Sequence, residues 1–357
     1  MIDWLTLRIP LDVSGLGPEL SKRLRESMNT VHCFDPEGVE MWRKAVVDFD
    51  SLRSDTPGIC WMTHSDGVQT WLAIGASPAS LEHGCNVFGS DDIVHCARVI
   101  IEHAAKALRA ALPMVRAWTV RRIDITENYL LPTADAVKHA LRVLLQTDGG
   151  HRRASSPKSG GDSVYWNPKS VRSKGKAYHK GPQLRALMRK TSVAISDAQL
   201  EIADRMLRLE HTRGAQFFRD FEKAGRHWFD LSIEDLRKFH TDFFGRMFGE
   251  VEVKDMSDVL PRLQALQVSH AKTGHLVPIS EGQALAAFRT WSVIKSVGLQ
   301  QAKESMPRAT WFRHVKLLRD AGLGDMDIST AEIVPFRRHV VVIDDPVRSW
   351  ADCKAAA

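Results

Sequence analysis

The sequence contains no run of about 18 apolar residues, the length that a membrane-spanning helix needs, so no membrane span is expected. Its five cysteines are odd in number and include no Cys-x-x-Cys pair, so neither a disulfide framework nor a zinc ribbon is expected. The first ten residues, MIDWLTLRIP, carry Asp3 and Arg8 within an apolar run and predict a strand instead of a signal peptide. A protein of a reducing cytoplasm fits these absences best.

Acidic side chains are nearly missing from residues 151–190. This segment holds eleven Lys/Arg and one acid, Asp162, a net charge of +10, whereas the whole chain carries +6. A positive charge concentrated in this way favours a polyanion as ligand, and nucleic acid is the commonest one. A flexible basic loop with no particular partner is the alternative.

Tyrosine is also scarce, with three residues in the chain. Residues 163–180, SVYWNPKSVRSKGKAYHK, alternate on both sides of an Asn-Pro turn and predict a β-hairpin. A period of two puts Lys174, Lys176, Tyr178 and Lys180 on one face of the second arm. The sequence therefore predicts one phenol among three ammonium groups, a cationic setting that is expected for neither Tyr129 nor Tyr165.

Cations near a phenol favour its ionised form and attract a phosphate to it. Attack of Tyr178 on a phosphodiester, with Lys176 and Lys180 as catalytic neighbours, would give a phosphotyrosyl link and a free hydroxyl. The alternative is an ordinary half-buried strand tyrosine beside solvated lysines.

Two further predicted strands, residues 118–128 and 206–213, repeat one pattern. Each has an arginine followed two positions later by an acid: Arg122 and Asp124 in the first, Arg208 and Glu210 in the second. If the strands are neighbours, Asp124 and Glu210 together would suit a hard divalent cation such as Mg²⁺ or Mn²⁺. Two salt bridges on a solvated sheet face are the alternative.

The second half of the sequence is mainly helical in pattern. Residues 233–248 and 281–299 have apolar stripes at helical spacing, which indicate core packing more than base stacking. Residues 299–305, a Met-Pro turn, a basic helix over 308–320 and a basic strand over 333–343 are typical of a winged helix-turn-helix. A helical hairpin packed on the rest of the protein is the alternative. We predict an α+β fold in two domains: a mainly antiparallel sheet with helices over residues 1–220, and a mostly helical domain with a winged-helix-like end over 221–357.

Several stretches together resemble the gene II replication initiators of filamentous bacteriophages. They occur in the order and approximate spacing of that family and cover nearly the whole chain: MIDWLTLRIPL, GASPASLEHGCNVFGSDD, RRIDIT, VYWN followed by KAYHK, RLEHTR, MPRATWFRHVKLLRDAG and IVPFRRHVVV. Plasmid rolling-circle initiators are similar more distantly.

The resemblance implies a rolling-circle initiator that nicks one strand of phage origin DNA in the host bacterial cytoplasm. Its implied nucleophile is the tyrosine that follows the TWN-type strand by eleven residues, which is Tyr178 after Asn167. The implied partners are origin DNA and the host helicase, DNA polymerase and single-strand-binding protein, with no membrane. Basic side chains expected to bind DNA are Arg122, Arg172, Lys174, Arg185, Arg208, Arg308, Arg313, Lys316 and Arg337.

Two features depart from the resemblance. Many rolling-circle initiators hold a metal with a His-hydrophobic-His pair, and none of the fifteen histidines stands two residues from another. Some relatives also have Gly-His-Asn where this chain has Gly84-Cys85-Asn86. A non-enzymatic DNA-binding regulator of replication is the competing function, whereas a tyrosine recombinase is disfavoured because its spaced Arg, His-x-x-Arg and Tyr set is absent.

Overall fold

An eleven-stranded antiparallel sheet dominates the computed structural model, which describes residues 1–13, 15–46, 48–149, 152–156, 163–191, 193–248, 258–269, 274–329 and 346–355. Its strand order is β3-β2-β4-β5-β1-β6-β11-β10-β9-β8-β7, and a separate two-stranded sheet pairs β12 with β13. The strands are β1 Ile2–Pro10, β2 Thr30–Phe34, β3 Glu40–Ala45, β4 Ile59–Ser65, β5 Thr70–Ala76, β6 Thr119–Leu130, β7 Asp148–Gly149, β8 Arg152–Ser155, β9 Ser163–Trp166, β10 Ser173–His179, β11 Met206–Arg213, β12 Gln267–Ser269 and β13 Leu276–Pro278.

Helices cover one face of the large sheet and form most of the second half of the chain. They are α1 Pro18–Glu26, α2 Pro78–His83, α3 Ile93–Leu108, α4 Ala134–Gln146, α5 Lys180–Met188, α6 Asp197–Asp204, α7 Ala215–Lys223, α8 Ile233–Phe248, α9 Val259–Gln264, α10 Glu281–Val297, α11 Leu299–Glu304, α12 Arg308–Asp320, α13 Asp325–Ser329 and α14 Trp350–Ala355. The predicted α+β class is confirmed.

The two faces of the sheet differ because apolar and polar residues alternate along the central strands. Ile123 and Ile125 of β6 and Leu207 and Leu209 of β11 are buried on the face that packs against helices α3, α4, α7 and α8. The opposite face, called the polar face below, carries the alternate residues of the same strands. Its members on three neighbouring strands are Arg122, Asp124, Thr126, Asn128, Lys174, Lys176, Tyr178, Arg208, Glu210 and Thr212.

The predicted strands over residues 1–10, 118–128 and 206–213 are present as β1, β6 and β11, and the predicted hairpin over 163–180 is the antiparallel pair β9 and β10. Thr133 caps α4 with its side chain, and Ser196 and Gln199 form the capping box that starts α6. Residues 11–53 have no clear pattern in the sequence, and the structure has α1, β2 and β3 there.

One expectation about cysteine is wrong. Cys33 on β2 and Cys60 on β4 are directly opposite each other, with their Cα atoms 4.2 Å apart, and they form a disulfide. The pairing follows from the cross-strand register, which a count of cysteines does not reveal. Cys85, Cys96 and Cys353 are free and buried.

The C-terminal half contains a separate apolar core formed by α9 to α13, with Trp291, Trp311 and Leu318 buried in it. By contrast, α8 belongs to the sheet's core, since Phe243 and Phe244 pack against Trp166 and Leu209. The division at residue 220 stays a prediction. The predicted strand over residues 333–343, with Arg337, lies outside the described residues.

Gly58, at the start of β4, is a position where only glycine fits. Its φ is +77°, and a Cβ there would lie 2.0 Å from the Phe34 carbonyl oxygen. Gly67 has a φ of +89° with nothing within 4 Å of its Cβ position, which makes Gly67→Ala a control for the backbone penalty alone. We expect Gly67→Ala to lower the free energy of unfolding by about 1 kcal/mol and Gly58→Ala to lower it by about 3 kcal/mol. Urea denaturation measures both, and equal midpoints would contradict the steric argument.

Candidate active site

Strand register brings the predicted site residues together on the polar face. In the β10–β11 ladder, Tyr178 is opposite Arg208 and Lys176 is opposite Glu210. In the β11–β6 ladder, Glu210 is opposite Thr126 and Thr212 is opposite Asp124, so the two acids are diagonal neighbours. The neighbouring strands that the two Arg-x-acid patterns predict are therefore present.

Tyr178 is enclosed, with 3% of its surface exposed. The Lys176 Nζ lies 4.1 Å from the centre of its ring, and the Lys180 Nζ lies 6.0 Å from it. Burial nevertheless raises the pKa of Tyr178 well above its usual value, while the charge of Arg208 acts in the opposite direction. The phenol is thus neutral in this conformation, contrary to the expectation that the surrounding cations favour the phenolate.

Lys180 is not on the strand face as predicted, because β10 ends at His179 and Lys180 is the first residue of α5. It is fully buried, and its Nζ donates hydrogen bonds to Asn86 Oδ1 at 2.7 Å and to the Asn86 carbonyl at 3.3 Å. Burial, with a contribution from the charge of Arg208, lowers the pKa of Lys180 well below its usual value. Its amine still lies beside Tyr178, but it reaches that position from the start of a helix.

Arg208 is the centre of a buried hydrogen-bond network. It is fully buried and donates to the Asn128 side chain, to Asp3 Oδ1, and to the carbonyls of Asn86 and Val87, at distances of 2.5 to 3.2 Å. Asp3 also accepts from the Asn86 amide at 2.8 Å. This network joins β1, β6, β11 and the loop before α3 behind Tyr178.

The two predicted metal ligands differ in their surroundings. Both oxygens of Asp124 accept hydrogen bonds from Arg122, at 2.9 and 2.5 Å. Glu210 accepts from Ser54 Oγ at 3.2 Å and lies 4.0 Å from the Lys176 Nζ. Burial raises the pKa of Glu210 to about 7, against the opposing charge of Lys176.

The side chains at this site are of the chemical type that binds a metal ion, but they are not arranged around one. Within the described ranges, no group of three or more His, Cys, Asp or Glu side chains is arranged to hold a metal ion. Asp3 is a third buried carboxylate at this site, and its Oδ2 has no hydrogen-bond partner among the described residues. Carboxylate oxygens suit Mg²⁺ or Mn²⁺, but Arg122 would have to release Asp124 first.

Residues 49–55 cover this end of the polar face. The Arg122 guanidinium donates to the carbonyls of Asp50 and Leu52, at 3.0 and 2.5 Å, and Ser54 reaches Glu210. In the same segment Arg53 is mostly exposed and forms a two-bond ion pair with Asp55. This segment thus contacts Arg122 and Glu210, and the loop at Asn86 contacts Lys180 and Arg208, which are the neighbours of the buried Tyr178.

The predicted DNA-binding residues fall into three groups. Arg122 and Arg208 are buried and engaged inside the protein. Arg172 and Arg185 are partly exposed and pair with Asp220 and Asp204 respectively, while Lys174 lies half-buried in β10 opposite Thr212. On α12, Arg308, Arg313 and Lys316 are exposed. Arg337 lies outside the described residues, and a role of any of these side chains in binding DNA stays a prediction.

Sequence reasoning missed several residues of the site. Asp3, Asn86 and Ser54 reach it from distant parts of the chain, and the only sequence signal among them is an acid inside the apolar run of β1. Tyr165 shares one cation with Tyr178, although not the whole cationic setting. Tyr165 on β9 is opposite Lys176, whose Nζ lies 6.0 Å from its ring centre.

Comparison with known sequences places this chain among phage replication proteins. A family model for the N-terminal region of a phage replication-associated protein matches residues 1–235, and the chain belongs to that family. It is 24% identical over 335 residues to the replication-associated proteins of Enterobacteria phages fd and M13, covering 82% of this chain and 80% of theirs. For the same protein of Salmonella phage IKe the identity is 24% over 390 residues, covering 94% of this chain and 92% of the relative.

These relatives support a role in the initiation of phage DNA replication. No solved structure gives a significant match. Among the helices that the structure describes, none is long and apolar enough to cross a membrane.

Proposed function

We propose that this protein is a site-specific nickase that cuts one strand of phage origin DNA and later rejoins it. One observation carries the proposal: an enclosed tyrosine, Tyr178, has the cations Lys176 and Arg208 and the buried amine of Lys180 around it, and the acids Glu210 and Asp124 beside it on one sheet face. Cations around a phenol are what attack on a phosphodiester needs, because the reacting phosphate gains negative charge in the transition state.

The reaction is a transesterification. The Tyr178 Oη forms a bond to the scissile phosphorus, the bond from phosphorus to the 3′ oxygen breaks, and the DNA 3′ end leaves as a hydroxyl. The 5′ end remains on Tyr178 as a phosphotyrosine, so the free 3′-hydroxyl is available to prime synthesis. Attack of a 3′-hydroxyl on the phosphotyrosine reverses these bonds and rejoins the strand without another source of energy.

Two lysines have different parts in this proposal. Burial lowers the pKa of Lys180 and so favours the uncharged form of its amine, which accepts the phenol proton and returns it to the leaving oxygen in this proposal. Lys176, near Glu210, lies over the Tyr178 ring, where its ammonium group attracts the phosphate. The proposal includes Mg²⁺ or Mn²⁺ on Asp124 and Glu210, a Lewis acid that polarises the scissile phosphate when bound.

The proposal also requires that a DNA phosphate can reach the buried Tyr178. Tyr178 is enclosed, so a phosphate would reach the phenol only after neighbouring segments move, and we propose that residues 49–55 withdraw from Arg122 and Glu210. DNA held by Lys174, Arg172 and Arg185 would favour the open arrangement. Host helicase, polymerase and single-strand-binding protein, in the bacterial cytoplasm, are the partners that this cycle requires.

The test is capture of the covalent intermediate. Origin DNA labelled on either side of the nick is incubated with the wild-type protein and Mg²⁺ or Mn²⁺, and the products are separated after denaturation in SDS. We expect label to remain on the protein only when it lies 3′ of the nick, and we expect digestion and mass spectrometry to find the nucleotide on Tyr178. Salt-sensitive binding of the DNA without any adduct would favour the non-enzymatic regulator instead.

A further inference from the structure

The helices α11 and α12 form a helix-turn-helix whose second helix has an exposed basic face. Residues 305–307 separate the two helices, and Ala302, Trp311 and Leu318 are buried against α10. The outward side chains of α12 include Arg308, Arg313 and Lys316, with Asp320 near Lys316 as the one acid on this face. The geometry is that of a unit that presents its second helix to a partner.

Phe312 is a large apolar residue that is exposed on this basic face. It is 50% exposed on a helix whose other aromatic residue, Trp311, is 5% exposed. The Arg308 guanidinium lies 5.6 Å from the centre of its ring, and Arg313 is its neighbour in sequence. Among the described residues, Phe312 is the one phenylalanine or tryptophan that is exposed to this degree, and it lies between basic side chains on a single helix face.

Duplex DNA matches both the positive charge of this face and its exposed Phe312 ring. The arginines and the lysine suit the two phosphate backbones that border the major groove, which is about 12 Å wide and admits one helix. An apolar ring flanked by those cations would reach the floor of the groove, where the 5-methyl group of thymine is the apolar feature.

We propose that Phe312 is a specificity-determining residue that recognises a thymine methyl group in the origin duplex. The inference rests on the proposed function, since it takes the origin as the ligand, but it concerns duplex recognition by α12 and not cleavage at Tyr178. Arg308, Arg313 and Lys316 position the helix on the phosphates, and Phe312 supplies the contact that depends on sequence.

The experiment measures affinity for the origin duplex by fluorescence anisotropy at fixed salt. The proteins are wild type, Phe312→Ala and Val297→Ala, the last as a control because Val297 is a comparably exposed apolar residue on α10, outside α12. Each thymine of the origin is replaced in turn by deoxyuridine, which lacks only the methyl group. At one position we expect the replacement to weaken wild-type binding about fourfold and to leave Phe312→Ala unaffected.

We also expect Phe312→Ala to weaken origin binding by about 5- to 20-fold without changing binding to an unrelated duplex, and Val297→Ala to change neither. The inference is overturned if every deoxyuridine origin behaves alike in wild type and Phe312→Ala. It is overturned also if Phe312→Ala changes the molar mass in sedimentation, because the face would then join two copies of this chain.

A covalent adduct of Phe312→Ala with single-stranded origin DNA is measured in parallel. If no protein forms the adduct, wild type included, the proposed nickase activity is contradicted. The duplex binding results test the role of Phe312 independently of that outcome.

Discussion

Tyr178→Phe is expected to abolish the covalent protein–DNA adduct, lowering its rate of formation by at least about 10³-fold. The substitution removes one phenol oxygen, which is the atom that bonds to phosphorus in the proposed reaction. The ring, its packing under Lys176 and the buried surroundings all remain. Binding of origin DNA should therefore stay within about twofold of wild type, and SDS gels with end-labelled DNA separate the two effects.

The other two tyrosines are matched controls for this experiment. Tyr165 shares Lys176 with Tyr178, so Tyr165→Phe tests whether the neighbouring phenol is the nucleophile instead. Tyr129 lies on the opposite face of β6, in the core with Leu207, and should be irrelevant to cleavage. An adduct that survives in Tyr178→Phe and disappears in Tyr165→Phe would reassign the reaction to the more exposed tyrosine.

Arg208→Met is expected to lower the free energy of unfolding by about 3–5 kcal/mol. The substitution keeps most of the side-chain volume but leaves the buried Asp3 carboxylate without its cation and removes one of the two donors to the Val87 carbonyl, the other being the Asn128 amide. The loop at Asn86 should loosen as a result, and adduct formation should fall with it. Guanidinium denaturation and the adduct assay at low temperature measure the two losses separately.

A double substitution separates charge from packing in this network. Adding Asp3→Asn to Arg208→Met removes the uncompensated buried charge and should recover at least about 1 kcal/mol of the lost stability. Arg98→Met is the control, because Arg98 is exposed on α3 and should change stability by less than about 0.5 kcal/mol. Additive losses in the double variant would mean that the ion pair between Arg208 and Asp3 does not contribute to stability.

Local signals were sufficient to predict much of the fold from the sequence. Strand β11 and helices α8 and α12 have the predicted bounds, because alternation or helical spacing is strong in each and turn or capping residues border them. Residues 11–53 were not predictable because β2 and β3 are stabilised by pairing with each other and with β4, which is a contact between distant segments.

The sequence predicts the site residues that lie on a single strand. It does not predict the residues that distant segments bring to the site. Lys176, Tyr178 and Glu210 follow from alternation and the repeated Arg-x-acid pattern. Asp3 contacts Arg208 across 205 positions of sequence, and the Ser54 hydroxyl contacts Glu210 across 156. The ionisation of Tyr178 also could not be predicted, because burial outweighs the neighbouring charges and burial depends on which loops cover the strand.

The contacts that residues 49–55 make with Arg122 and Glu210 would limit cleavage of host DNA by the proposed reaction. A permanently open, ionised tyrosine would cut any DNA that collided with its cations. With the phenol neutral and enclosed, the proposed reaction would consume part of the free energy of DNA binding in moving this segment away, and only a DNA that makes enough contacts would supply it. Discrimination between the origin and host sequences would then appear in the rate of cleavage more than in the affinity, and most encounters with the bacterial genome would end in release of intact DNA.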